Sequence, residues 1–307
     1  MPDSLAVRTG ESRPRRTTAA LQPACSTGWH DPSMHGSIAD ALGATRDWGA
    51  GHAALAVVGP DAVLGTIGDG ARELPWASVT KPVVAYAVLR AVEQGSVSLD
   101  EPLGPPGSTV RHLLAHASGL PPESTTPISA PERTRIYSNA GFDLLGQLLA
   151  DRARLPVAQV VEQEVLEPLG MTHTRLVGRP AAGMHGSLAD LASFARELLR
   201  PTLVSTVTLE HATTLAFPGL AGVLPGFGRY EPLDWGLGYE LRDAKQPHWT
   251  GTANSPETFG HFGASGTFLW VDPVVGIALA CLTDRPFGPW ALEAWPAVAD
   301  AVLAAVD

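Results

Sequence analysis

The stretch "TFLWVDPVVGIALACLTD", residues 267–284, reads as two apolar runs around an Asp-Pro-Val-Val-Gly turn, the pattern of a hairpin with buried strands. It has a counterpart near the other end of the chain. "HAALAVVGPDAVLGTIGDG", residues 52–70, is again two apolar strands around a Gly-Pro-Asp turn. Behind the later hairpin, "PWALEAWPAVADAVLAAV" (289–306) carries apolar residues at helical spacing with little turn chemistry. A hairpin first and a hairpin plus helix last predict one antiparallel sheet built from both chain ends, with the terminal helix packed on its face.

Working outward, a short helix is expected from Ile38, and the middle of the chain, about 82–200, reads as helical. "KPVVAYAVLRAVEQG", "YSNAGFDLLGQLLADRA", "VAQVVEQEVLEPLG" and "SLADLASFARELL" each end in or near the Gly or Pro that stops a helix. Between 201 and 262, Gly and Pro are scattered through "AFPGLAGVLPGFGRYEPLDWGLGYE", which predicts long loops and short strands around a cleft. The sheet lobe is thus expected from about 50–80 and 230–307, and the helical lobe from about 82–200. Residues 1–35 lack periodicity and contain "RPRR", so they read as a flexible, solvated leader ahead of a domain spanning 36–307. Met34 suggests that this leader stems from an upstream start codon.

Composition narrows the function. The 307 residues are 45% hydrophobic and 17% charged, as in a globular enzyme. A formal charge of −10 argues against a nucleic-acid partner, because phosphate contacts need clustered Lys and Arg. No apolar run reaches the roughly 18 residues that span a bilayer. The leader has no apolar segment for a signal peptide, and "LQPAC" lacks the residues of a lipoprotein site. The two cysteines, Cys25 and Cys281, read as free thiols in a reducing compartment, so a cytoplasmic protein is expected.

Three short patterns carry chemistry. In "PWASVTKPVV" (75–84), Ser78 stands three residues before Lys81, one of only two lysines in the chain. Pro82 is tolerated in a first helical turn, so Ser78 falls at a helix N-terminus with the Lys81 amine on the same face. An adjacent amine lowers the cost of taking a serine's proton. The second pattern is Tyr137-x-Asn139, opening an apolar helix. A tyrosine near an ammonium is expected to have its phenolate favoured, which makes Tyr137 a base for Ser78, and Asn139 can orient Lys81 and an acyl group. The third is His261-Phe262-Gly263, ahead of the strand at Thr267, where small residues let a ligand approach the backbone. An N–H here can pair with that of Ser78 as an oxyanion hole, and His261 can hold a proton or donate to Tyr137 or the substrate.

In this order the three patterns resemble the S-x-x-K, Y-x-N and K-T-G or H-x-G motifs of the serine β-lactamase and penicillin-binding-protein superfamily. The similarity is to its class C β-lactamase-related branch, which includes family VIII carboxylesterases, D-aminopeptidases and transacylases. "LLAHASGLP", "PLGMTHT", "WGLGYE" and "VDPVVGIALACLTDR" add to it, and the resemblance covers about residues 50–305. It implies an α+β fold of the β-lactamase/transpeptidase type, an antiparallel sheet flanked by helices plus an all-helical lobe, with the active site between them. It implies Ser78 as the acylated nucleophile, Lys81 and Tyr137 as the proton-transfer pair and Asn139 as orienter. The oxyanion hole would be the N–H groups of Ser78 and Ala264, with Phe262 and Gly263 beside the substrate. Two departures matter: His261 stands where true β-lactamases commonly have lysine, and Phe262 replaces a hydroxyl residue that helps bind a β-lactam carboxylate. Losing both removes charge-assisted bonds to an anion, which ranks small esters, amides or thioesters above penicillins.

Other features yield less. His112 and His116 in "RHLLAH" are spaced as in some zinc sites but enclose no Glu, so a structural role and no metal are expected. The glycines of 59–70 do not open a helix, so nucleotide binding and any cofactor are not expected. Trp235, Trp249, Trp270, Trp290 and Trp295 read as core or cleft lining, with those of 230–250 shaping an apolar acyl pocket. The expected activity is hydrolysis of a small-molecule acyl substrate through an acyl-enzyme. The alternatives are acyl transfer, a D-amino-acid peptidase, or a non-catalytic ligand binder that kept the fold. Oligomeric state is not legible.

Overall fold

The computed structural model describes residues 32–306, with side chains from Ile38 onward. The expected leader therefore lies outside the described residues, except that 32–35, including Met34, belong to helix α1 (Pro32–Gly43). Then come β1 (Ala53–Val58), β2 (Val63–Ile67) and the short β3 (Leu74–Pro75), followed by a 3₁₀ turn at Ala77–Val79 that runs into α2 (Thr80–Glu93). The helical region continues through α3 (Val110–Leu114), α4 (Asn139–Ala153) and α5 (Val157–Val161), which passes into a π turn at Glu162–Leu166. Next are β4 (Arg175–Leu176), β5 (Met184–Gly186), α6 (Leu188–Leu199) and α7 (Thr206–Ala212). The chain closes with the hairpin β6 (Gly222–Leu224) and β7 (Gly228–Tyr230), then β8 (Glu240–Leu241), β9 (Phe259–Gly263), β10 (Thr267–Asp272), β11 (Ile277–Thr283) and α8 (Pro289–Val306).

Both chain ends meet in one six-stranded antiparallel sheet of order β2-β1-β11-β10-β9-β8, as the two hairpins predict. Its central strands are apolar without a break because both faces are covered. Ala54, Ala56, Val58, Ala278, Ala280, Leu269 and Val271 enter the core shared with α6 and the helical region. The alternate residues Leu55, Val57, Leu279, Cys281, Phe268 and Trp270 enter a second core closed by α1 and α8. Period-two alternation thus divides one apolar strand between two cores.

Helix α6 falls within the sequence range read as the helical lobe, yet it packs on β1, β10 and β11. The small residues Ala54, Ala56, Ala278 and Ala280 on that face let it approach. Helix α2 is buried on every side, from Val83 to Leu89, among α4, α5 and the π turn. This is why only apolar residues follow Lys81: the helix is the hub of its region. No helix among the described residues is long and apolar enough to cross a membrane.

Candidate active site

Ser78 sits in the 3₁₀ turn that leads into α2, and the residue before it, Ala77, has φ +46°. A left-handed alanine is strained, and it persists only where neighbours over-determine it. They do so here. The Trp76 amide donates to Met184 O at 2.8 Å, and the Thr267 hydroxyl donates to Trp76 O at 2.9 Å. The Thr80 hydroxyl donates to Ala77 O at 2.6 Å and accepts from the Met184 amide at 3.0 Å.

One turn on, Lys81 is fully buried. Its Nζ lies 2.7 Å from Asn139 Oδ1, 2.8 Å from Ala181 O and 3.2 Å from Ser78 Oγ. Burial lowers its pKa from 10.5 to about 7, against the pull of the Asp143 carboxylate. A neutral amine has two N–H groups and one lone pair. Asn139 Oδ1 and Ala181 O can only accept, so they take both N–H groups and the lone pair faces Ser78. The Asn139 amide is held in that sense because its Nδ2 donates to Glu123 Oε1 at 2.5 Å, and Arg179 ties Glu123 to Asp143. Asn139 opens α4, where the Ser138 hydroxyl caps the helix by accepting from the Gly141 amide.

The Tyr137 hydroxyl donates to Ser78 Oγ at 2.7 Å. Burial pushes its pKa well above the ordinary tyrosine range, outweighing the bond to Ser78. This reverses the expectation of a favoured phenolate: desolvation penalises the anion, and burial brings the neighbouring amine's own pKa down to about 7. Tyr137 is held as a donor and Lys81 is the group able to take a proton.

His261 is likewise neutral, its pKa lowered to about 3 by burial and by Lys81. Its Nδ1 donates to its own neighbour's carbonyl, Phe262 O, at 2.7 Å. The expected hydrogen bond to Tyr137 is not formed; the two rings pack with centroids 5.7 Å apart. Gly263 lets β9 touch the Ser78 turn, since a Cβ there would lie 2.5 Å from Trp76 O and 3.1 Å from Ala77 Cβ. That contact sets Ala264 beside Ser78, and both line a cavity of about 440 Å³. Tyr137, Asn139, His261 and Phe262 line it too, with Leu224, Gly226 and Phe287 as apolar walls.

A family model described as Beta-lactamase matches residues 74–179 and 175–303. The chain belongs to the beta-lactamase family. A crystal structure of a beta-lactamase from Mycobacterium bovis is 53% identical, with a TM-score of 0.85, covering 87% of this chain and 99% of that one. The structure of EstCE1, described as a hydrolase with promiscuous acyltransferase activity, shares the fold at 17% identity and a TM-score of 0.71, covering 88% of this chain and 98% of that one. Among curated proteins, the D-alanyl-D-alanine-carboxypeptidase/endopeptidase AmpH of Escherichia coli (strain K12) is 30% identical over 141 residues, 34% of this chain. That match spans 37% of the relative's length.

Within this beta-lactamase fold, Ser78, Lys81, Tyr137, Asn139, His261, Phe262 and Ala264 come together, drawn from the 3₁₀ turn, α2, the start of α4 with the two residues before it, and the end of β9. Gly263 supports the cavity from behind instead of lining it. Trp235 lines the cavity, but Trp249 does not; it is buried and donates to Glu240. His112 caps α3 and pairs with Glu132, and among the described residues no His, Cys, Asp or Glu cluster is spaced to hold a metal. His116, read from sequence as structural, packs its ring 4.7 Å from that of Tyr137. Sequence reasoning missed Glu123 and Arg179, whose contacts span 16 or more residues and leave no local signal, and Glu240, whose partner Trp249 lies nine residues on in a stretch without periodicity.

Proposed function

We propose that the protein hydrolyses small acyl substrates that carry no carboxylate, esters first and amides or thioesters after them, through an acyl-enzyme on Ser78. The observation that carries this reading is the Lys81 environment: Nζ is buried against two pure acceptors, Asn139 Oδ1 and Ala181 O, so when the amine is neutral its lone pair is left for Ser78 Oγ. Lys81 takes the serine proton as Oγ attacks the acyl carbon, a step in which general-base help contributes about 10²–10⁴-fold. The hydroxyl of Tyr137 steadies Oγ and passes a proton to the leaving group, being regenerated from Lys81. The amides of Ser78 and Ala264 face the developing oxyanion. Water then attacks the acyl-enzyme by the same groups in reverse.

The apolar cavity and the neutral His261 support esters over β-lactams, since position 261 offers no ammonium to meet a carboxylate. The test is turnover of p-nitrophenyl acetate and butyrate beside a chromogenic cephalosporin. Ester turnover is expected to exceed cephalosporin turnover, and Ser78→Ala to lose about 10³-fold or more of both. Equal activity in Ser78→Ala would sink the mechanism.

A further inference from the structure

Lys245, the chain's other lysine, is also buried. Its Nζ lies 2.6 Å from Glu240 Oε1, while Glu240 Oε2 is met by His248 Nε2 at 2.9 Å and Trp249 Nε1 at 3.0 Å. The Thr250 amide donates to His248 Nδ1, so His248 Nε2 is the N–H that points at Glu240. Burial works to raise the Glu240 pKa, but His248 and Lys245 outweigh it and hold the carboxyl at about 2. A buried ion pair gains little over apolar residues of equal volume, so stability alone gives no reason for this one.

Its orientation gives one. Glu240 lines the catalytic cavity, whereas Lys245, His248 and Trp249 do not. Glu240 is therefore the member of this buried cluster that borders the cavity, and Lys245 is set back from it. A carboxylate offers about four lone-pair positions; His248 and Trp249 donate to Oε2, while Oε1 has the Lys245 ion pair and no hydrogen bond. His261 adds a second unused acceptor: its Nδ1 donates to Phe262 O, so Nε2 bears a lone pair, and it has no partner in the protein. The two residues line the same cavity from the neighbouring strands β8 and β9.

We propose that the wall formed by Glu240 and His261 is a specificity surface that accepts a hydrogen-bond donor on the substrate, an ammonium in preference, and rejects a carboxylate. The proposal rests on reading this cavity as the substrate site. It is tested by titrating benzylamine, benzyl alcohol and benzoate into the protein calorimetrically at neutral pH. These ligands have no scissile bond, so the result is independent of whether esters acylate Ser78. In wild type, benzylammonium is expected to bind about tenfold or more tighter than benzoate, the alcohol falling between, as a charge-assisted hydrogen bond implies. In Glu240→Gln that ratio should collapse to about threefold or less. Should the buried, unpaired Lys245 unfold this variant, Glu240→Gln/Lys245→Met removes both charges at similar volume and should show the same collapse. Benzoate binding as tightly as benzylammonium in wild type, no binding of any of the three, or a ratio unchanged in a folded variant overturns the proposal.

Discussion

Lys81 meets three oxygens with two N–H groups when neutral, and burial brings its pKa down to about 7. If the neutral amine is the base, kcat/KM for ester hydrolysis should rise with pH through about 7 and level off above it. A flat profile from pH 5 to 9 would count against Lys81, and Lys81→Met should cost about 10²–10⁴-fold. The same shift has a consequence for stability. Between the folded value of about 7 and the ordinary 10.5, the unfolded chain holds a proton that the folded one lacks, so stability rises with pH across that window. Urea unfolding at pH 6 and 9 should show this gain in wild type, and Lys81→Met should lack it. The Ser78–Lys81 pairing was legible because three-residue spacing on a helix is a local matter. The proton's position was not, because it depends on Asn139, Ala181 and burial, all remote in sequence.

Strand β9 and the Ser78 turn touch through Gly263, where a Cβ has 2.5 Å to Trp76 O. Gly263→Ala should force the two elements apart, at about 1–3 kcal/mol of stability, and pull Ala264 from the oxyanion position. A denaturant melt and kcat should fall together; unchanged kcat would separate the strand contact from catalysis. Arg135, two residues before Tyr137, is buried and donates to the carbonyls of Ala115, Leu233, Ala216 and Phe217. Arg135→Ala should cost about 3 kcal/mol or more, because several carbonyls lose their donor at once. Arg135→Lys should not restore it in the same melt, since a single ammonium lacks the guanidinium fork. The principal helices and the two hairpins were readable from period and turn residues. The β6–β7 hairpin showed only as loops with short strands, because three-residue strands amid Gly and Pro are too short to display alternation.

Across the whole molecule, the site is assembled from segments near 78, 137 and 261, and the sheet that holds the last of these needs β1 from one end of the chain and β11 from the other. Ester hydrolysis and tryptophan fluorescence should therefore be lost at the same urea midpoint; earlier loss of activity would mean that α2 and α4 loosen before the sheet. The sequence by itself determined what is short-range or periodic: two buried hairpins, the helices between them, Ser78 with Lys81, and the motif order of a beta-lactamase relative. Only the tertiary structure decided that α6 covers the sheet, that burial raises the Tyr137 pKa while lowering that of Lys81, and that Glu240 lines the cavity while Lys245 does not. Those outcomes depend on desolvation and on contacts summed over residues far apart in the chain, and neither quantity is written in any local stretch of sequence.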